Sequence, residues 1–126
     1  MKFFITHHAG ERYIERIRGG INPTTTNLFT DMLKELSTGK DITNKIYDEV
    51  PRYILYLYEK YKQLGLTIIH SHQTLYICRK RPGTQNLFDV ITCYNDHRHL
   101  EQFKNTAMSR EEVFLKIKMI KKQLKS

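Results

Sequence analysis

The chain is short of the features that mark membrane and disulfide-stapled proteins. No stretch of its 126 residues approaches 18 consecutive apolar positions, so no membrane-crossing helix is expected. The opening MKFFITHH has one lysine and few apolar residues before polar chemistry begins. That is too short for a secretion signal, and a cytoplasmic protein is the expectation. Only two cysteines occur, Cys78 and Cys93, both inside apolar, strand-like runs. In a reducing compartment they are expected to stay free and to pack as small hydrophobes. No repeat, linker or low-complexity block interrupts the chain, and its hydrophobic content of 40% suits one domain, residues 1–126, with one modest core. Acidic residues are scarce: 13 Asp+Glu against 21 Lys+Arg leave a formal net charge of +8. Such a surplus suits contact with a polyanion, because each neutralised phosphate releases a counterion. It also favours solubility alone.

What is present divides into helical and strand-like halves. Lys2 to Ile5 reads as a short strand, and Thr6 caps a helix over residues 7–18 that Gly19–Gly20 ends. INPTTTN is a loop, with Pro23 disfavouring helical geometry at Asn22. Leu28, Met32 and Leu36 on one stripe predict a second helix over Leu28 to Leu36, with Gly39 just past its end. A third begins near Pro51, runs through RYILYLYEKYKQL and stops at Gly65. The period then changes. LTIIHS, QTLYICRK and NLFDVITCY are three strands joined by turns at Ser71–His72 and at RPGTQ, which favours an antiparallel meander. Ser109 with Glu112 opens a last helix, whose apolar stripe is Val113, Ile117, Ile120 and Leu124. The expected class is α+β, with N-terminal helices packed on a three- or four-stranded antiparallel sheet and a C-terminal helix.

Two constellations carry chemistry. In the first helix, at about 100° per residue, Ala9, Tyr13 and Ile17 form the buried stripe, while His8, Arg12 and Glu15 fall within about 60° of one another on the other side. Arg16 and Glu11 flank them. A base, a fixed cation and a carboxylate thus share one row. A solvated face held by Glu–Arg ion pairs has the same pattern. At a helix N-terminus, where the backbone is partly positive, a histidine is favoured as neutral imidazole and an anion is attracted. In the last strand of the meander, alternation puts Phe88, Val90, Thr92 and Tyr94 on one face. Thr92 and Tyr94 then present two hydroxyls about 7 Å apart. On the strand before it, Arg79 and Arg81 share a face opposite Lys80.

Together, HAGERYIER (His8, Ala9, Arg12, Glu15 and Arg16) and the terminal Val90, Thr92 and Tyr94 resemble a group of small ribonuclease toxins, the RelE, barnase and colicin-type group. The resemblance covers the first 20 residues and about 30 near Leu66–Asn95. It departs from the pattern at RIRGGI, where Gly-Ile usually follows the motif at once. The resemblance implies metal-independent RNA cleavage without a cofactor, in which the 2′-hydroxyl attacks the adjacent phosphate. On that reading His8 is the acid or base, with Glu15 as its partner or an alternative base. Arg12 and Arg79 clamp the phosphate, because arginine presents a fork matched to its oxygens. Thr92 and Tyr94 orient it. Arg16, Lys80, Arg81, Lys118, Lys121 and Lys122 follow the RNA backbone, and Tyr76 or Tyr94 stacks a base. Transfer RNA, messenger RNA on the ribosome and free RNA need similar catalytic groups, so the residues do not choose among them, and an acidic antitoxin or immunity protein is the implied protein partner.

Two other readings compete. A phage-type or mobile-element regulator on the same scaffold would bind nucleic acid or a host protein without catalysis. The pairs His70–His72 and His97–His99 have metal-ligand spacing, but His72 falls in a turn, the NDHRH segment reads as a loop, and no carboxylate or cysteine completes a set. His97 and His99 are further candidate acids, since they follow directly on the strand that carries Thr92 and Tyr94.

Overall fold

The computed structural model describes residues 1–19, 25–104 and 107–125. In chain order the elements are β1 (Lys2–Ile5), α1 (His7–Arg16), α2 (Thr25–Thr38), β2 (Lys40–Asp41), α3 (Thr43–Glu49), α4 (Pro51–Tyr61), β3 (Leu66–Ser71), β4 (Thr74–Lys80), β5 (Leu87–Asn95), α5 (Asp96–Lys104) and α6 (Arg110–Lys125). The class is α+β, as expected. The sheet has five strands, in the order β1-β5-β4-β3-β2. It is mixed, because β1 runs parallel to β5 while the other pairs are antiparallel. This corrects the expected three or four antiparallel strands. A meander leaves its outer edge open, and β1 fills that edge in the direction set by the helix that follows it.

Alternation along the central strands divides the apolar residues between two faces. Ile69, Tyr76 and Cys78 pack with Ala9 and Tyr13 of α1 and with Leu28, Met32 and Leu36 of α2. Ile68, Leu75 and Ile77 pack with Tyr53, Leu57, Val113 and Ile117 of α4 and α6. The two cysteines are buried and free. Burial pushes the Cys93 thiol up to about 12 and the Cys78 thiol further still, so both stay protonated.

Most helix ends follow the local chemistry read from sequence. Thr6 caps α1, accepting a bond from the Ala9 amide at 3.1 Å. The helix stops at Arg16 rather than at residue 18; of the loop read at Ile21 to Asn27, residues 21–24 lie outside the described residues, and Thr25 to Asn27 form the first turn of α2 instead. α2 is longer than expected, and α4 starts at Pro51 as expected. α4 ends at Tyr61, three residues early, because Lys62 turns left-handed at φ 49°. The amide of Glu112 donates to Ser109 Oγ at 3.2 Å ahead of α6. β2, α3 and α5 are additional elements; the segment now seen as α5 reads as a loop in sequence.

A β-bulge alters β5. Ile77 pairs with Thr92 but Cys78 pairs with Val90, so Ile91 is the extra residue. Phe88 and Val90 therefore face α1 and α2, whereas Tyr94 faces α4 and α6. The expectation that Phe88, Val90, Thr92 and Tyr94 share one face is thus corrected: the bulge reverses the alternation midway.

Candidate functional site

β1 pairs with β5 only as far as Val90, and α1 takes its place beside the rest of the strand. Thr6 fixes the transition. Its hydroxyl donates to the Val90 carbonyl at 2.8 Å while its oxygen caps the helix. Three turns on, Arg16 reaches the edge of β5 and donates to the Cys93 carbonyl at 2.9 Å and to Thr92 Oγ1 at 3.4 Å. Its guanidinium carbon lies 4.3 Å from the Tyr94 ring centre. Thr92 is buried, so its hydroxyl serves to position Arg16.

On Tyr94 the ring of His99 lies nearly parallel, at 3.7 Å and 3°. A ring this close leaves no space on its own side, so Arg16 and His99 occupy opposite faces of Tyr94. His99 comes from α5, whose start is held by the Asn95 side chain, which accepts from the Arg98 amide at 3.4 Å, and by Asp96, whose amide donates to the Gln73 carbonyl at 2.9 Å. The Asp96 carboxylate also lies 2.8 Å from His70 Nε2. Burial, together with the charges of Arg16 and Lys60, pulls His99 down to about 4, so it is neutral at pH 7. Its Nε2 is buried without a hydrogen-bond partner among the described residues.

The hydroxyl of Tyr94 points toward α4. Lys60 Nζ donates to it at 3.0 Å, and the Tyr61 hydroxyl lies 3.0 Å away. Burial alone would raise this phenol. The hydrogen bonds of Lys60, Tyr61 and Tyr56 outweigh burial and bring Tyr94 below its ordinary value, while Tyr61 moves upward.

Glu15, Arg16, Tyr94, Asn95, Arg98 and His99 line one cleft of about 310 Å³. His8 and Arg79 line a neighbouring depression of about 430 Å³, with Gln63 and Asp89. The two are joined along α1. Arg12 Nε lies 3.3 Å from His8 Nε2, and Arg12 Nη1 donates to Glu15 at 2.8 Å. The row His8–Arg12–Glu15 inferred from helical angles is thus a continuous, solvent-facing rim. Arg79 is committed elsewhere: it donates to Asp89 at 3.1 Å and to Gln63 at 3.1 Å, and Arg81 also binds Asp89. The Arg81 guanidinium, and then Arg79, hold the Asp89 carboxyl below the usual carboxylate range despite its burial.

The remaining sequence candidates do not reach the cleft. Lys80 is exposed at the end of β4. Lys118 and Lys122 are exposed on α6, and Lys121 lies against Tyr47 and Tyr58. Tyr76 is buried completely and has no surface on which to stack a base. His70 binds Asp96 while His72 is exposed in the β3–β4 turn, so these two histidines serve different ends; the side chain of His97 lies outside the described residues. Among the described residues no cluster suits a metal ion. Another depression, about 510 Å³, lies near Arg18, Asp31, Lys34 and Glu35, but its charges are mostly spent on Arg18–Asp31 and Tyr13–Glu35 bonds.

Reading the segment after β5 as a loop missed Arg98 and the exact role of His99's helix. The signal was there: Asn95 as a cap, then Leu100 and Phe103 at helical spacing. Comparison with family models, curated proteins and solved structures finds no match to this chain.

Proposed function

We propose that the protein is a metal-independent endoribonuclease whose centre is the cleft between the end of α1 and the start of α5. The observation that carries this reading is the convergence of a carboxylate, two arginines and a neutral histidine, Glu15, Arg16, Arg98 and His99, on one cleft beside Tyr94. In-line attack of a ribose 2′-hydroxyl on the adjacent phosphorus forms the P–O2′ bond and breaks the P–O5′ bond, leaving a 2′,3′-cyclic phosphate. Glu15 accepts the 2′-hydroxyl proton, and Arg16 and Arg98 stabilise the charge that grows on the phosphoryl oxygens. A phosphate beside Arg16 offsets the field that holds His99 down. The imidazole then gains a proton on binding and delivers it to O5′. His8, Arg12 and Arg79 flank the centre and serve the neighbouring phosphate.

A second reading has its own support. Arg12 is tied to Glu15, and Arg79 to Asp89, which leaves fewer free cations than a nuclease centre at His8 needs. Those ties favour a regulator of phage or mobile-element type that binds RNA, or a host protein, without cleaving. One assay separates the two. Total RNA incubated with the protein in EDTA is expected to yield cyclic-phosphate ends, and Glu15→Gln, an exposed change, is expected to slow this by about 100-fold or more. His8→Ala is expected to have the smaller effect. RNA that is retarded on a gel but stays intact would replace the enzyme with the binder.

A further inference from the structure

A second, more enclosed cavity of about 260 Å³ lies in the other helical layer, between α3, α4, β3 and α6. Its inner surface is apolar: Ile54, Leu57 and Ile68 are buried there, with Leu66 beside them. Tyr47 and Tyr58 form its walls, and Asn44 and Lys121 stand at its more exposed side. Lys121 Nζ lies 5.4 Å from the ring centres of both tyrosines, so the ammonium is held over the opening by cation–π attraction.

The polar groups of this cavity have a bias. Lys121 brings three donors, and among the described residues it forms no ion pair. The hydroxyls of Tyr47 and Tyr58 and the amide of Asn44 make no hydrogen bond among the described residues. The remaining polar residue, Thr43, is already satisfied: it donates to Asp41 at 2.6 Å and accepts from the Ile68 amide at 2.9 Å. No carboxylate lines the space. Burial, and then the neighbouring Tyr47, raise the Tyr58 phenol above its ordinary value, so it remains a donor. An apolar interior, two aromatic walls and an excess of unspent donors beside one cation define the complement: a flat apolar body with an anionic, acceptor-rich edge.

We propose that this cavity is a binding site for a small planar aromatic carboxylate, its ring between Tyr47 and Tyr58 over the apolar floor and its carboxylate on Lys121 and Asn44. The size matches one ring with one acidic substituent, at the small end of ligand pockets. The site shares no residue with the Glu15–His99 cleft, and it stands whether or not RNA is cleaved there.

Benzoate is the probe, with benzamide as its neutral counterpart. Titration of the isotope-labelled protein, followed by NMR, is expected to give saturable shifts in the millimolar range at Tyr47, Tyr58 and Leu57. Benzamide is expected to bind about tenfold more weakly or worse, as is benzoate to Lys121→Met, which keeps most of the stem but loses the charge. Tyr58→Phe keeps the ring and is expected to bind several-fold more weakly; its unperturbed spectrum elsewhere reports that the fold is kept. Absence of saturable shifts in the wild-type protein, or equal affinity for benzoate and benzamide, would overturn the assignment. So would unchanged binding to Lys121→Met.

Discussion

His99 shows how one side chain can carry a pH dependence for the whole chain. Its folded value, about 4, lies below the ordinary 6.5, so between those limits the unfolded state binds the extra proton. The sign follows. His99 has no effect on stability above about pH 6.5, and stability falls as pH drops from there toward about 4. Because the ring is only partly buried, solvent screens the effect, and a loss of about 1 kcal/mol is expected between about pH 7 and about pH 5. Urea unfolding at the two pH values measures it. His99→Phe keeps a ring on Tyr94 and is expected to lose that part of the drop, whereas an equal drop in both proteins would assign it to other groups. Sequence marks this histidine only by its place just after Tyr94. The depressed value comes first from burial and then from the charges of Arg16 and Lys60, which lie far from it in the chain and meet it only after folding.

Between elements, the tightest junction is the one after α2. A Cβ built on Gly39 meets Ile69 Cγ2 at 2.7 Å, and the carbonyl oxygens of Glu35 and His70 at 3.2 Å. Two of those neighbours are backbone and cannot rotate away, so Gly39→Ala is expected to destabilise the protein by about 1–3 kcal/mol, read from the urea midpoint. An unchanged midpoint would mean that β2 shifts freely on β3. The glycine was legible as a helix stop, but its close approach to β3 was not, since β2 has only two residues and no periodicity to reveal it. The meander strands were legible because their six to nine residues are rich in Ile, Thr, Tyr and Phe and are bounded by turn signals. The Ile91 bulge was not. DVITCY reads as unbroken alternation, and only the register with β4 exposes the extra residue. That omission changes which layer Thr92 and Tyr94 face, and so which helices supply their partners. α4, read only as a helix, contributes Lys60 and Tyr61 to Tyr94 for this reason.

For the molecule as a whole, the surplus of +8 is spread over separate places. Arg16 and Arg98 border the cleft, whereas Lys118, Lys121 and Lys122 ride on α6, which packs on α4. If the cleft alone holds RNA, about two or three phosphates are neutralised. The logarithm of affinity for a short single strand should then fall with the logarithm of salt with a slope of about −1.4 to −2. Fluorescence anisotropy across a salt series checks this. A slope near −5 would instead bring the α6 lysines into the footprint. Net charge was legible from composition, where it raises the expectation of a polyanion partner. The division of that charge between layers was not legible, since it follows from which face of the sheet each helix covers.

The pairing of β1 with β5 sets an order of assembly. Thr6 bonds to Val90, 84 residues away, and that bond seats the helix whose far end forms one wall of the cleft. A nascent chain leaving the ribosome must carry its opening strand unpaired until the fifth strand has emerged. The meander can close earlier from neighbouring segments, so the rim of the cleft is among the last parts of the protein to take shape. A half-made copy would have its sheet but no cleft.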